Sequence, residues 1–293
     1  MSTAPLGIIA GGGVLPEMVA RAALKQGRDV TVLALIGEAD GSLDSFAPHW
    51  IHAGELRRGM SLLQDRGVRD LVIVGRVRRP GLRGFRGDSE GWKFLLRWIV
   101  TKRSSDERLL QALRRYLEER GGFRIIAAQE ICESLLATPG FLGRHRANNE
   151  TQKDITFGVE VARAVAKYDI GQGVVVCRGI VLAVEAQEQT DNMLRRVSEL
   201  GESLRGSPQE RAGVLIKLPK PSQTRELDWR VIGEKTIIKA SQAGLSGVVL
   251  QAGGCLLVNA EAVAKRIDAE GMFLLSLEAD EMTARKPHDQ RDR

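Results

Sequence analysis

Four stretches of this chain bring together residue types that can do chemistry. The richest is VLIKLPKPSQTRELDWRVIG (214–233), where an apolar strand-like run delivers Lys217, Lys220, Gln223, Arg225 and Asp228 within twelve residues. Pro219 and Pro221 stiffen the loop, which lowers the entropy lost in holding those groups in one geometry. Two lysines and an arginine suit a diphosphate, and an aspartate can hold magnesium or activate water. A solvated loop is the plainer alternative. The second stretch, VEAQEQTDNMLRR (184–196), ends a strand at Glu185 and opens a helix at Thr190-Asp191. Thr190 suits a helix N-cap, while a threonine and a carboxylate at a strand-to-helix junction also sit where α/β proteins present polar and metal ligands.

The third stretch is GIIAGGGVLP (7–16). A dinucleotide fingerprint wants GxGxxG, but here Gly11-x-Gly13 is followed by Pro16 where the third glycine belongs. The acid expected about 20 residues on is also missing, since only Glu38 follows the second strand. Gly11, Gly12 and Gly13 can still turn backbone N–H groups toward an anion at a helix start, and a purely structural turn is the alternative. In the fourth stretch, SSDERLL (104–110), Asp106 and Glu107 begin a helix, and complementation of the helix dipole explains them without a ligand.

The elements that must position these groups follow from periodicity. Strand candidates at 6–10, 29–35 and 71–74 alternate with helical patterns at 15–26 and 56–66, which predicts a parallel sheet with crossover helices. Their continuous apolar runs fit a sheet covered on both faces. Residues 92–120 read as helical with a cap at Ser104 or Ser105, and 123–127 as a further strand. The second half restarts with a helix at 155–167 and a hairpin of 173–177 with 179–185 around Arg178-Gly179. A helix at 191–200 follows, capped by Thr190, then a strand at 213–217 and a helix at 236–243. Strands at 247–251 and 255–258, a helix at 260–270 and a strand at 272–277 complete the pattern. The expected division is an N-terminal domain over 1–138, a turn-rich linker over 139–150, a C-terminal α/β domain over 151–285, and a polar, disordered tail over 286–293.

Bulk composition bounds the rest. At 293 residues, 43% hydrophobic and 27% charged, the chain is long enough for two domains with cores of their own. No apolar stretch approaches the ~18 residues of a membrane span, and MSTAPLGIIAGGG is not a secretory signal. A cytoplasmic protein is expected. Three separated cysteines make neither a disulfide framework nor a zinc ribbon, and four histidines without HExxH argue against a zinc hydrolase. The net charge of +6 is concentrated in the Arg-rich run 76–87 and at 144–146. With aromatics at 4% and not interleaved among the basic residues, a nucleic-acid platform is not expected; phosphate or anionic headgroups suit the run better.

Taken together, GIIAGGGVLP, the aspartate before ERLL, GVVVCRGIVLAVEAQEQTDNMLRR, KLPKPSQTRELDWRVIG, GLSGVVLQAGGCLLV and IDAEGMFLL resemble one family. It is the UDP-2,3-diacylglucosamine pyrophosphatases of the LpxI type, found in many Gram-negative bacteria. The resemblance implies an N-terminal Rossmann-like parallel sheet and a C-terminal mixed α/β domain, with the active site between them. It implies magnesium-dependent hydrolysis of UDP-2,3-diacylglucosamine to UMP and 2,3-diacylglucosamine 1-phosphate (lipid X), a step of lipid A biosynthesis. Peripheral contact with the cytoplasmic face of the inner membrane and a homodimer accord with the resemblance and with chain size; nucleic acid has no part in it. By resemblance Asp228 is the catalytic aspartate, and Asp228, Asp191 and Asp106 are the metal ligands. Gly11, Gly12, Gly13, Thr190, Lys217, Lys220, Gln223 and Arg225 fall to the substrate.

The chain also departs from the family pattern. Thr224 stands where the family has an acid, Glu226 where it has Arg, and Trp229-Arg230 replace Leu-Pro. Gln189 replaces the Gly before Thr-Asp, and Ser105 the first Asp of a pair. The changes at 105 and 224 remove two carboxylates that could hold or orient magnesium. They leave an alternative open: a catalytically impaired homologue that binds a lipid-linked sugar or sugar nucleotide.

Overall fold

The computed structural model describes residues 4–77, 85–100, 106–168, 170–219 and 231–278, without the side chains of 98–100, 106–108 and 134. The described residues divide into two compact units, one ending at Glu133 and the other beginning at Ser134. Each has its own sheet.

In the first unit the apolar runs become strands and the amphipathic ones helices. The order is β1 (Leu6–Ala10), α1 (Leu15–Lys25), β2 (Val30–Leu35), β3 (His49–Ile51), α2 (Leu56–Asp65), β4 (Asp70–Val74), α3 (Ser89–Val100), α4 (Asp106–Gly121), β5 (Arg124–Ile125) and α5 (Ala128–Ile131). The five strands pair in the order β3-β2-β1-β4-β5, all parallel, with Leu6 opposite both Val30 and Asp70. A parallel sheet with the first strand at its centre and crossovers on either side is the doubly wound, Rossmann-like arrangement. Its strands are buried on both faces, as their unbroken apolar runs require. The helical region 92–120 is two helices, and the serines expected to cap the second lie outside the described residues.

The second unit runs β6 (Gly140–Leu142), α6 (Asn149–Lys167), β7 (Gly173–Cys177), β8 (Ile180–Val184), α7 (Gln189–Ser198), α8 (Glu202–Arg205), β9 (Val214–Lys217), β10 (Val231–Ile232), α9 (Glu234–Gln242), β11 (Gly247–Gln251), β12 (Leu256–Leu257), α10 (Ala260–Ala269) and β13 (Phe273–Leu277). Six strands form one mixed sheet ordered β6-β13-β11-β9-β7-β8. Strands β9, β11 and β13 are parallel, while β6, β7 and β8 each run antiparallel to a neighbour. A separate pair, β10 and β12, is parallel. Alternation along the strands gives two cores. Val175, Leu215, Val248 and Leu274 face Met193, Leu194 and Ile237 of α7 and α9. Val174, Val176, Ile216 and Val249 face Ile155, Val159 and Ala162 of α6, whose spacing marks one helical stripe.

The segment 139–150, expected as a linker, carries β6, whose Phe141 pairs with Leu275, and Asn148, whose side chain caps α6 by accepting from the Thr151 N–H. The β7–β8 hairpin turns where the sequence places it. Arg178 (φ 51°) and Gly179 (φ 75°) both take the left-handed conformation of the turn that matches strand twist. Its amides are held by Asp154 of α6, 2% exposed, which accepts from Arg178 N at 2.9 Å and Gly179 N at 2.7 Å. Asp154→Ala is therefore expected to cost about 2–3 kcal/mol, because two amides lose a charged acceptor in a partly buried place. Urea unfolding checks it, and a loss under about 0.5 kcal/mol would contradict the role given to the carboxylate.

Candidate active site

The glycine turn belongs to the first unit. Gly11 N donates to Val74 O at 2.8 Å, Gly12 N to Arg76 O at 2.8 Å, and Arg76 N returns a bond to Gly12 O at 2.9 Å. A Cβ at Gly11 would lie 2.5 Å from Arg76 O, and one at Gly12 2.6 Å from Glu38 O. Close approach of the chain leaving β1 to the chains leaving β4 and β2 thus requires Gly11 and Gly12 respectively, and the pairing with the chain leaving β4 uses both amides. Gly13, at φ 101°, then turns the chain into α1, which starts with Pro16 in its first turn and no side-chain cap. Of the three glycines expected to face an anion, two spend their N–H groups on backbone carbonyls.

The second unit gathers polar side chains at the carboxyl ends of β8 and β9. Lys217, the last residue of β9, donates from Nζ to Thr190 Oγ1 at 2.7 Å. Thr190 Oγ1 in turn donates to Glu185 Oε1 at 3.0 Å. All three are buried: Lys217 is 8% exposed, Thr190 7% and Glu185 8%. Thr190 is not the helix cap expected of it. Helix α7 begins at Gln189 after Glu188, with no side-chain cap. The Thr190 oxygen accepts from the Lys217 ammonium instead of from a backbone N–H and gives its proton to a carboxylate, charged partners making the stronger bonds.

Asp191, one residue on, faces the other way. Its Oδ2 lies 3.0 Å from Lys235 Nζ and 3.0 Å from Lys239 Nζ, tying the start of α7 to α9. Burial pushes its carboxyl up, but the hydrogen bonds from Lys235 and Lys239 outweigh that, so the net shift is downward from 3.8. A carboxyl depressed in the folded state stabilises fully above its unfolded value, and the contribution is lost as pH falls through the folded value. Asp191→Asn should therefore flatten the acid limb of a plot of unfolding midpoint against pH, converging on wild type at the lowest pH. Parallel curves across the acid range would contradict the pairing.

Among the described residues no group of three or more His, Cys, Asp or Glu could hold a metal ion. Asp191 is already matched by two ammonium groups, so the described side chains do not by themselves fit a magnesium site. Asp106 opens α4, but its carboxylate lies outside the described residues, as do Lys220, Gln223, Arg225 and Asp228. Of the expected substrate-binding residues, the structure therefore joins Thr190 and Lys217 directly. Glu185 was noticed in the sequence only as the end of a strand; its bond to Thr190 is local, but its approach to Lys217 depends on strand register, which no local pattern encodes. The three cysteines are buried, and desolvation pushes the thiols of Cys132 and Cys177 up to about 11, so neither is a nucleophile at neutral pH.

Comparison with known proteins agrees with this two-unit arrangement. The family model described as the LpxI N-terminal domain matches residues 5–135, and that of the LpxI C-terminal domain matches 138–275. The chain is 41% identical over 278 residues to a Caulobacter vibrioides protein named UDP-2,3-diacylglucosamine pyrophosphatase LpxI, covering 94% of this chain and 98% of that one.

Proposed function

The chain belongs to the LpxI family, and from that membership we propose that it hydrolyses the diphosphate of UDP-2,3-diacylglucosamine, releasing UMP and 2,3-diacylglucosamine 1-phosphate (lipid X) in lipid A biosynthesis. The observation that carries this reading is a match running through both domains over nearly the whole of the relative. The alternative of a binding protein that has lost catalysis rests on the substitutions around Asp228.

The chemistry follows from charge. A diphosphate bridge is anionic and repels the oxygen of an attacking water until that charge is met. Lys217, at the end of β9, supplies a buried ammonium with donors beyond the one given to Thr190, and Lys220 and Arg225 are proposed to join it. Water attacks one phosphorus, the phosphoanhydride bond breaks, and the departing phosphate takes the bonding pair. Asp228 is proposed as the carboxylate that takes the proton of that water or holds the metal. Magnesium is part of the proposal: bound, it would neutralise the two phosphoryl groups. The turn of Gly11, Gly12 and Gly13 is proposed to lie against the phosphate or uridine part, by its lack of side chains rather than by the amides of Gly11 and Gly12, which are already bonded. A cytoplasmic site of action is proposed too, with peripheral contact at the inner membrane supported by the acyl chains of the proposed substrate. No described helix is long and apolar enough to cross a membrane.

The test is product identity. Mass spectrometry of a reaction in magnesium should show UMP with a diacylated sugar 1-phosphate, and excess EDTA should reduce the yield at least about 100-fold. UDP with the free sugar would instead mean cleavage of the glycosidic bond and overturn the assignment.

A further inference from the structure

We propose that Glu185 is a positioning residue that acts through Thr190 to hold Lys217 in its working orientation. This rests on the reading that Lys217 meets an anionic group of the substrate. The geometry is set by the ladder of the mixed sheet. Gly173 of β7 lies opposite Lys217 of β9 on one side, and on the other its carbonyl accepts from Glu185 N at 2.8 Å. Lys217 at the end of β9 and Glu185, the residue after β8, thus flank Gly173 on its two sides. A Cβ at Gly173 would come within 2.4 Å of Glu185 Oε2 and 3.3 Å of Met193 Cε. The missing side chain leaves the space in which the carboxylate lies across β7 toward Lys217. Thr190, in the first turn of α7, joins the two.

The direction of the relay has no freedom. An ammonium only donates, a carboxylate only accepts, and a hydroxyl has one proton. Thr190 must give that proton to Glu185 and offer a lone pair to Lys217. Glu185 thereby fixes the hydroxyl rotor, the hydroxyl fixes Nζ, and the remaining Lys217 donors are left for a ligand. Glu185 Oε2 is buried and has no hydrogen-bond partner among the described residues. A carboxylate desolvated to that degree with a single hydrogen bond is costly unless a counter-charge stands close, and Lys217 supplies it. A buried acid retained at this expense, in a space cleared by a glycine, serves the lysine rather than the packing.

Two measurements test the relay. In steady-state kinetics, Glu185→Met, which keeps the bulk but offers Thr190 no comparable acceptor, should raise KM for UDP-2,3-diacylglucosamine ~10-fold or more with a much smaller change in kcat, because the lysine is present but no longer aimed. Lys217→Met should move the same parameter further, and the double variant should be no worse than Lys217→Met alone. Gly173→Ala, which displaces the carboxylate while leaving all three side chains of the relay in place, should reproduce Glu185→Met. Independent losses that multiply in the double variant, or a lowered unfolding midpoint with unchanged KM, would overturn the proposal. The second measurement needs no turnover. In protein labelled with ¹⁵N-lysine, the Nζ resonance that vanishes in Lys217→Met should be lost or shifted in Glu185→Met and in Thr190→Val. If it is unaffected by both, there is no relay. A wild-type chain that shows this coupled resonance but releases no UMP would overturn the hydrolase reading while leaving the relay standing.

Discussion

Replacing Asp228 by alanine is expected to lower UMP release by ~1000-fold or more while the unfolding midpoint stays close to that of wild type. Positioned proton transfer alone contributes about 10²–10⁴-fold, and a carboxylate that holds a metal contributes at least as much. In the sequence Asp228 follows Lys217, the last residue of β9, by eleven positions. Asp228→Asn separates the two roles proposed for the carboxylate. An amide retains an oxygen ligand but cannot take a proton, so a loss as deep as that of alanine favours the base. Retention of turnover within about tenfold in Asp228→Ala would remove this residue from the site. Circular dichroism and the melting curve must accompany the kinetics, so that a folding defect is not read as a catalytic one.

The largest effect on stability is expected at Asp70, the first residue of β4, beside the central strand of the first sheet. Its Oδ2 receives Arg28 Nη2 at 2.7 Å, with both side chains 5% exposed, and its Oδ1 receives Arg124. Arg28 also donates to Ala4 O at 2.9 Å. Asp70→Ala leaves the Arg28 guanidinium buried without its counter-charge, which typically costs about 3–5 kcal/mol. Removing Arg124 instead should cost under about 1 kcal/mol, because that side chain is 69% exposed and largely screened by water. Urea unfolding of the two variants should therefore rank Asp70→Ala far below Arg124→Ala. Equal losses would show that the exposed pair, not the buried one, holds this corner.

Much of the fold was legible in the sequence because its core strands are continuous apolar runs bounded by glycine. Leu6–Ala10, Val30–Leu35, Gly173–Cys177 and Gly247–Gln251 stand within a residue of where periodicity places them. The Arg178-Gly179 turn was legible for a local reason, since a two-residue hairpin needs positive φ. Two of the edge strands were not. His49–Ile51 and Gly140–Leu142 are three residues each, half exposed and without alternation, so their pairing is decided by the neighbours β2 and β13. At the site, residue types revealed Thr190 and Lys217 but not what they bond. Thr190 looked like a cap because capping is a local preference, and the buried carboxylate of Glu185, five residues back, together with Lys217 from β9, overrode it. Glu185, Gly173 and Lys217 converge only through strand register, which is non-local.

The most direct test of the central claim is the reaction itself: purified wild-type chain, UDP-2,3-diacylglucosamine and magnesium, with UMP release followed over time beside equilibrium binding of the same substrate. Magnesium-dependent, saturable release of UMP is predicted, and it would show that the substitutions at 105, 189, 224, 226 and 230 are variations on a working site. Tight binding of the substrate or of lipid X with no UMP formed would contradict it, and would make the chain a binding protein on a pyrophosphatase scaffold.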